Sequence, residues 1–161
     1  MEQAGAPFLY IDTCRDLILG LKYGGLTSLA PFFGAQMAPL LANVPVDRIF
    51  PIPLHPVRLR ERTFNQAELL AEALSEQTGV PCENRLLIRT RPTRPQADLD
   101  RRERNDNLRG AFDLRHGARL KGLRLLLVDD VYTTGATARA CAQLLKTAGA
   151  RTVSMLAAAR D

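Results

Sequence analysis

The spacing of apolar positions changes repeatedly along the chain, and the changes predict alternating helices and strands. Leu17, Ile18 and Leu21 share one helical face behind a capping Asp12 or Thr13, and Gly24-Gly25 ends that stripe. Ser28 opens a second apolar segment through Phe32, Phe33, Met37 and Leu41, with Pro39 as an irregularity. Residues 48–53, Arg-Ile-Phe-Pro-Ile-Pro, read as a short strand closed by prolines, and a basic loop follows to about Arg62. Residues 65–78 are helical by period: Ala67, Leu70, Ala71 and Leu74 form the apolar stripe, Glu68, Glu72 and Glu76 the opposite face. Gly79-Val80-Pro81 stops this helix. Leu86-Leu87-Ile88 and residues 111–114 are short strand candidates, the second turned by His116-Gly117. Between them, residues 90–107 are polar, proline-bearing and densely charged, a surface excursion of the length that usually carries function or disorder.

The C-terminal third gives the firmest pattern. Residues 123–128 are continuously apolar, as a strand covered on both faces requires. A polar loop, an alanine- and leucine-rich helix over 136–148, a Gly149 stop and a final strand over 152–157 complete a strand–helix–strand unit. With the earlier alternation this predicts an α/β fold, a mostly parallel twisted sheet with helices on both faces. The 161 residues are expected to form one domain, with an N-terminal helical part over 1–45 and the excursion over 92–108.

Ligands of open parallel sheets bind beyond the carboxyl ends of the strands. There the chain reads Asp129-Asp130-Val131-Tyr132-Thr133-Thr134-Gly135-Ala136-Thr137. Thr133, Thr134 and Thr137 supply hydroxyls, and Gly135 permits close backbone approach. The amides of residues 134–137 open a helix, where unpaired N–H groups and the helix dipole favour a phosphate. Asp129 and Asp130 are acceptors placed to suit the vicinal hydroxyls of a ribose whose 5-phosphate fills that cradle. Neither GxxxxGK[ST] nor GxGxxG is present, so a Walker loop and a dinucleotide fingerprint are excluded.

Composition adds less. Hydrophobic residues at 46% and charged residues at 24% are ordinary for a globular protein. The net charge of +5 comes mainly from arginine, concentrated over 58–62 and 85–119, and suits a phosphorylated metabolite or nucleic acid equally. Cys14, Cys82 and Cys141 are isolated from one another and from His55 and His116, which argues against structural zinc or a disulfide framework. No apolar run spans a bilayer and the N-terminus lacks signal-peptide character, so a soluble, cytoplasmic protein without membrane contact is expected.

Residues 125–137 resemble the phosphoribosyl pyrophosphate signature of type I phosphoribosyltransferases. Leu21-Lys22-Tyr23-Gly24-Gly25, Pro51-Ile52-Pro53-Leu54-His55-Pro56, Arg62-Thr63-Phe64-Asn65-Gln66-Ala67, Pro95-Gln96, residues 101–107 and Arg109-Gly110-Ala111-Phe112 extend the likeness, and jointly they resemble the ComF competence-protein family. The resemblance implies that Thr133, Thr134, Gly135, Ala136 and Thr137 hold the 5-phosphate and that Asp129 and Asp130 take the ribose hydroxyls. It further implies that Lys22, His55 and Arg58 face the diphosphate, and that residues 94–107 form a flexible hood whose Arg101, Arg102 and Arg104 clamp it. Mg2+ chelated by the diphosphate would meet Asp129 and Asp130 directly or through water.

Two departures stand out: no cysteine-rich zinc module precedes this domain within the chain, and Thr63 occupies a position usually held by glycine. Thr133 stands where 6-oxopurine enzymes of this type carry an aspartate, which argues against that acceptor. Two readings follow. One is a magnesium-dependent phosphoribosyltransferase with an unidentified nitrogenous acceptor. The other is a non-catalytic phosphoribosyl pyrophosphate-sensing module of DNA uptake and transformation, with single-stranded DNA or a DNA-uptake helicase as partner. A homodimer is compatible with both.

Overall fold

The computed structural model describes residues 1–92, 108 and 110–161. The main sheet is wholly parallel. Strands β1 (Ala4–Gly5) and β2 (Phe8–Leu9) both pair with β7 (Thr152–Arg160), which pairs with β6 (Arg124–Tyr132), which pairs with β3 (Arg48–Pro51). Beyond β3, Pro81 and Glu83 exchange main-chain hydrogen bonds with Ile49 at 2.9 and 2.8 Å. A separate antiparallel hairpin joins β4 (Leu87–Arg89) to β5 (Phe112–Leu114).

Alternation along β6 divides the core. Leu125 and Leu127 face one layer, with Val153, Met155 and Ala157 of β7 and the buried Ala138, Cys141, Ala142 and Leu145 of α5 (Ala136–Thr147). Leu126 and Val128 face the other, with Ile18 and Leu21 of α1 (Asp12–Tyr23), Phe33 and Met37 of α2 (Leu29–Met37), and Leu70 and Leu74 of α4 (Gln66–Thr78). A fully buried side chain of this size contributes about 1.5–3 kcal/mol relative to exposure. The two layers therefore make β6 and β7 the stable centre of the sheet. The α/β reading holds, with helices on both faces.

Gly34 lets α2 lie directly on α4. A Cβ there would stand 2.8 Å from the Ala73 Cβ and 3.0 Å from its carbonyl carbon. At the other end of the sheet Asp47 clamps the start of β6. Its carboxylate accepts from the Arg124 main-chain N–H at 2.7 Å, from Nε at 3.0 Å and from Nη2 at 2.6 Å. Arg124's hydrogen bonds therefore hold the Asp47 carboxyl down at about 2.

Several expectations are corrected. The stretch read as a basic loop to Arg62 contains a helix, α3 (Pro56–Arg62), with Pro56 at its first position and none of its residues buried. The strand read over 123–128 runs on to Tyr132, so Asp129 and Asp130 lie within β6. The last strand runs to Arg160 rather than 157, and β1 and β2, absent from the pattern, add to its outer side. Pro39 lies in a short 3-10 helix (Ala38–Leu41) that follows α2 directly.

Candidate ligand-binding site

The period of β6 decides where its two acids point. Asp129 continues the Leu125–Leu127 side towards α5, and Asp130 the Leu126–Val128 side towards α1. Asp130 is 9% exposed and its Oδ1 lies 3.0 Å from Nζ of Lys22, near the end of α1. Asp129 Oδ1 accepts the main-chain N–H of Asp130 at 2.9 Å. Burial raises the Asp129 carboxyl well above the usual carboxylate range, and the neighbouring Asp130 charge raises it further, against the opposing pull of Lys22 and Arg89.

On the Asp129 side a cavity of about 120 Å³ is lined by Asp129, Tyr132, Thr133, Gly135, Thr137 and Met155, among others. Gly135 caps α5 with φ +69°, the left-handed region that glycine adopts without strain. The Tyr132 ring folds over it. A Cβ at 135 would collide with the Tyr132 hydroxyl and come within 2.7 Å of Cζ. Arg139 Nη1 donates to the Thr134 carbonyl at 2.8 Å and fixes the loop from the helix side. The Thr134 Oγ1 is enclosed without a hydrogen-bond partner among the described residues.

The loop after β3 lies at the same end of the sheet. His55 caps α3, its Nδ1 accepting the Val57 N–H at 3.3 Å, which gives this histidine a structural job. Asn65 Nδ2 donates to the Ile52 carbonyl at 3.1 Å and its Oδ1 caps α4 through the Ala67 N–H. Thr63, between the two helices, adopts φ +68°, so the position usually filled by glycine does require the left-handed conformation here. Arg89 of β4 packs over the Phe112 ring at 5.3 Å, and its basicity is lowered by burial and by the charge of Arg58. The sequence reading missed Arg89, though the step from apolar Leu87-Ile88 to Arg89-Thr90-Arg91 marks where the hairpin leaves the core.

Asp129, Thr133, Gly135, Ala136 and Thr137 thus meet at one cavity whose lining omits Thr134, Lys22 and Asp130 meet on the opposite face, and His55 serves as a cap. Arg101, Arg102, Arg104, Pro95-Gln96 and Arg109 lie outside the described residues. Among the described residues no three His, Cys, Asp or Glu side chains cluster. Asp129 and Asp130, on opposite sides of β6, are the carboxylates that would hold Mg2+ of the kind that keeps waters and takes further ligands from substrate phosphates. No helix among the described residues is long and apolar enough to cross a membrane.

The fold and the strand–loop–helix cradle define a type I phosphoribosyltransferase-like α/β fold. Among solved structures, glutamine phosphoribosylpyrophosphate amidotransferase from B. subtilis matches 80% of this chain and 26% of its own at 24% identity and TM-score 0.53. Adenine phosphoribosyltransferase from Thermoanaerobacter pseudethanolicus matches 85% and 83% at 15% identity and the same TM-score of 0.53. In sequence, DNA utilization protein YhgH of Salmonella typhi is 40% identical over 109 residues, 68% of this chain and 47% of that protein. Competence protein F of Haemophilus influenzae is 35% identical over 115 residues, 71% and 50% of the two chains, and competence protein ComFC of Bacillus subtilis is 30% identical over 150 residues, 90% and 58%. The chain spans about half the length of these relatives. No family model matches it. It is a ComF-like domain on the phosphoribosyltransferase fold.

Proposed function

We propose that this domain binds phosphoribosyl pyrophosphate at the C-terminal end of β6 and transfers the phosphoribosyl group to a nitrogenous acceptor. The cavity that brings Asp129 together with Thr133 and Thr137 at the Gly135-capped start of α5 carries this reading. The 5-phosphate takes the α5 amides and the Thr133, Thr134 and Thr137 hydroxyls. The ribose hydroxyls take Asp129 and Asp130. Asp129 and Asp130 would hold Mg2+, and the chemistry the ion would supply there is neutralisation of the charge that develops on the leaving group. Arg58 in α3 adds fixed positive charge beside the loop that receives the diphosphate, which is where departure of pyrophosphate needs it. A neighbour on this fold, adenine phosphoribosyltransferase from Trypanosoma brucei, is described in complex with AMP, pyrophosphate and ribose-5-phosphate. That supports the ligand class as a candidate for this chain. Thr133 in place of an acid disfavours a 6-oxopurine acceptor.

Calorimetric titration of phosphoribosyl pyrophosphate with Mg2+ into wild type and Asp130→Asn tests the binding step. Binding by the wild type, weakened in the variant, is expected, and a wild type that binds nothing refutes the proposal. Pyrophosphate release across a panel of bases and amines tests transfer.

The relatives' names, with a net charge of +5, favour a second reading in which the domain acts in DNA uptake without catalysis. Single-stranded DNA affinity that falls steeply with salt supports it, since displaced counterions set that slope, and affinity flat in salt excludes it.

A further inference from the structure

Lys22, expected to face the diphosphate, pairs with Asp130 in the structure. The contact is close, 3.0 Å, and sheltered, with the side chains 17% and 13% exposed. The end of α1 is also pinned. Arg62 Nη2 donates to the Tyr23 hydroxyl at 2.9 Å with its guanidinium 4.8 Å over the Tyr23 ring, and Nη1 donates to Gln66 Oε1 at 2.9 Å. The Arg62–Gln66 segment, singled out in the sequence without a role, therefore ties α1 to α3 and α4 next to Lys22. The result is a cation built into the carboxylate pair.

We infer that Lys22 is the resident counter-ion of Asp129 and Asp130, and that it keeps a divalent cation off these acids until a diphosphate brings the missing ligands. Two carboxylates alone attract a divalent ion, whereas two carboxylates with an ammonium 3.0 Å from Asp130 hold much less net charge for it. Mg2+ sheds its water reluctantly and needs several oxygen ligands at once. Metal and diphosphate therefore enter together. When they do, the ammonium passes from Asp130 to a phosphate oxygen, one charge-assisted contact replacing another. This last step rests on the proposed function. The masking of the carboxylates does not.

Electron paramagnetic resonance of Mn2+ with the ligand-free protein tests the masking. Lys22→Met, which keeps the aliphatic stem, should bind Mn2+ at least ~10-fold more tightly than wild type, the factor that about 1.4 kcal/mol corresponds to. Lys22→Arg should match wild type, and the added Asp130→Asn should abolish the gain. Equal Mn2+ affinity in wild type and Lys22→Met overturns the inference. Nitrogen-15 NMR of the Lys22 ammonium gives the same test without a variant: Mg2+ alone should leave its signal in place, and displacement by Mg2+ alone overturns the inference. Absence of phosphoribosyl pyrophosphate binding alongside a Lys22→Met gain would remove the functional reading and leave the masking intact. Ligand binding without that gain would do the reverse.

Discussion

Gly135→Ala places a methyl group where the structure has least room for one. Two costs arise. The first is conformational: at φ +69° an L-residue is strained by about 1–2 kcal/mol. The second is steric, because the new Cβ would stand 2.7 Å from Cζ and 2.9 Å from Cε2 of Tyr132. Tyr132 is half-buried and at the end of its strand, so it can swing away, which holds the steric part to the lower half of the roughly 1–3 kcal/mol seen for overpacking. The alanine's lower unfolded-state entropy returns about 0.4–1 kcal/mol. A net loss of about 1.5–3 kcal/mol is expected from these terms, measured as the shift in denaturant midpoint at constant slope. A double-mutant cycle separates them: in a Tyr132→Ala background the steric share vanishes and the conformational share remains, giving a coupling of about 1–2 kcal/mol. Gly135→Ala within ~0.5 kcal/mol of wild type, the range of a neutral surface change, would refute the account of this turn. Zero coupling would refute the role given to the tyrosine ring.

Gly34→Ala drives a methyl into the Ala73 backbone, which cannot rotate away; a loss of about 2–3 kcal/mol in chemical denaturation is expected, with Ala73→Gly as partial rescue. Asp47→Asn should destabilise at neutral pH. Because the folded Asp47 carboxyl sits at about 2 and the unfolded one near 3.9, the gap to wild type should persist above pH ~4 and close as pH falls towards ~2, and a constant gap across that window would exclude the ion pair as its source. Thr63→Gly should raise stability by up to ~1 kcal/mol, the left-handed strain relieved less the entropy of glycine, read from thermal midpoints.

The β6–α5–β7 unit was legible because its strands are apolar on both faces and its helix carries a single buried stripe of alanine, cysteine and leucine. The same periodicity could not reveal α3, whose seven residues bury nothing; its start was written instead in His55-Pro56, a cap followed by a proline at the first helical position. β1 and β2 are two residues each and exist because β7 offers them an edge, which no local pattern encodes. The phosphate cradle was legible as strand, loop and glycine. The partner of Lys22 was not, since it depends on the register that brings α1 across the end of β6. The Asp47–Arg124 clamp joins residues 77 positions apart and leaves no trace in either neighbourhood.

The placement of Asp129 and Asp130 on opposite sides of one strand has a mechanical meaning. Asp130 reaches, through Lys22, the helical layer of α1, α2 and α4; Asp129 lies against the layer of α5. A ligand gripping both carboxylates would act as a rivet through the sheet, fastening two layers that otherwise share only β6, β7 and their neighbours. Its arrival should slow amide exchange at the end of α1 and the start of α5 together, although these segments belong to different cores.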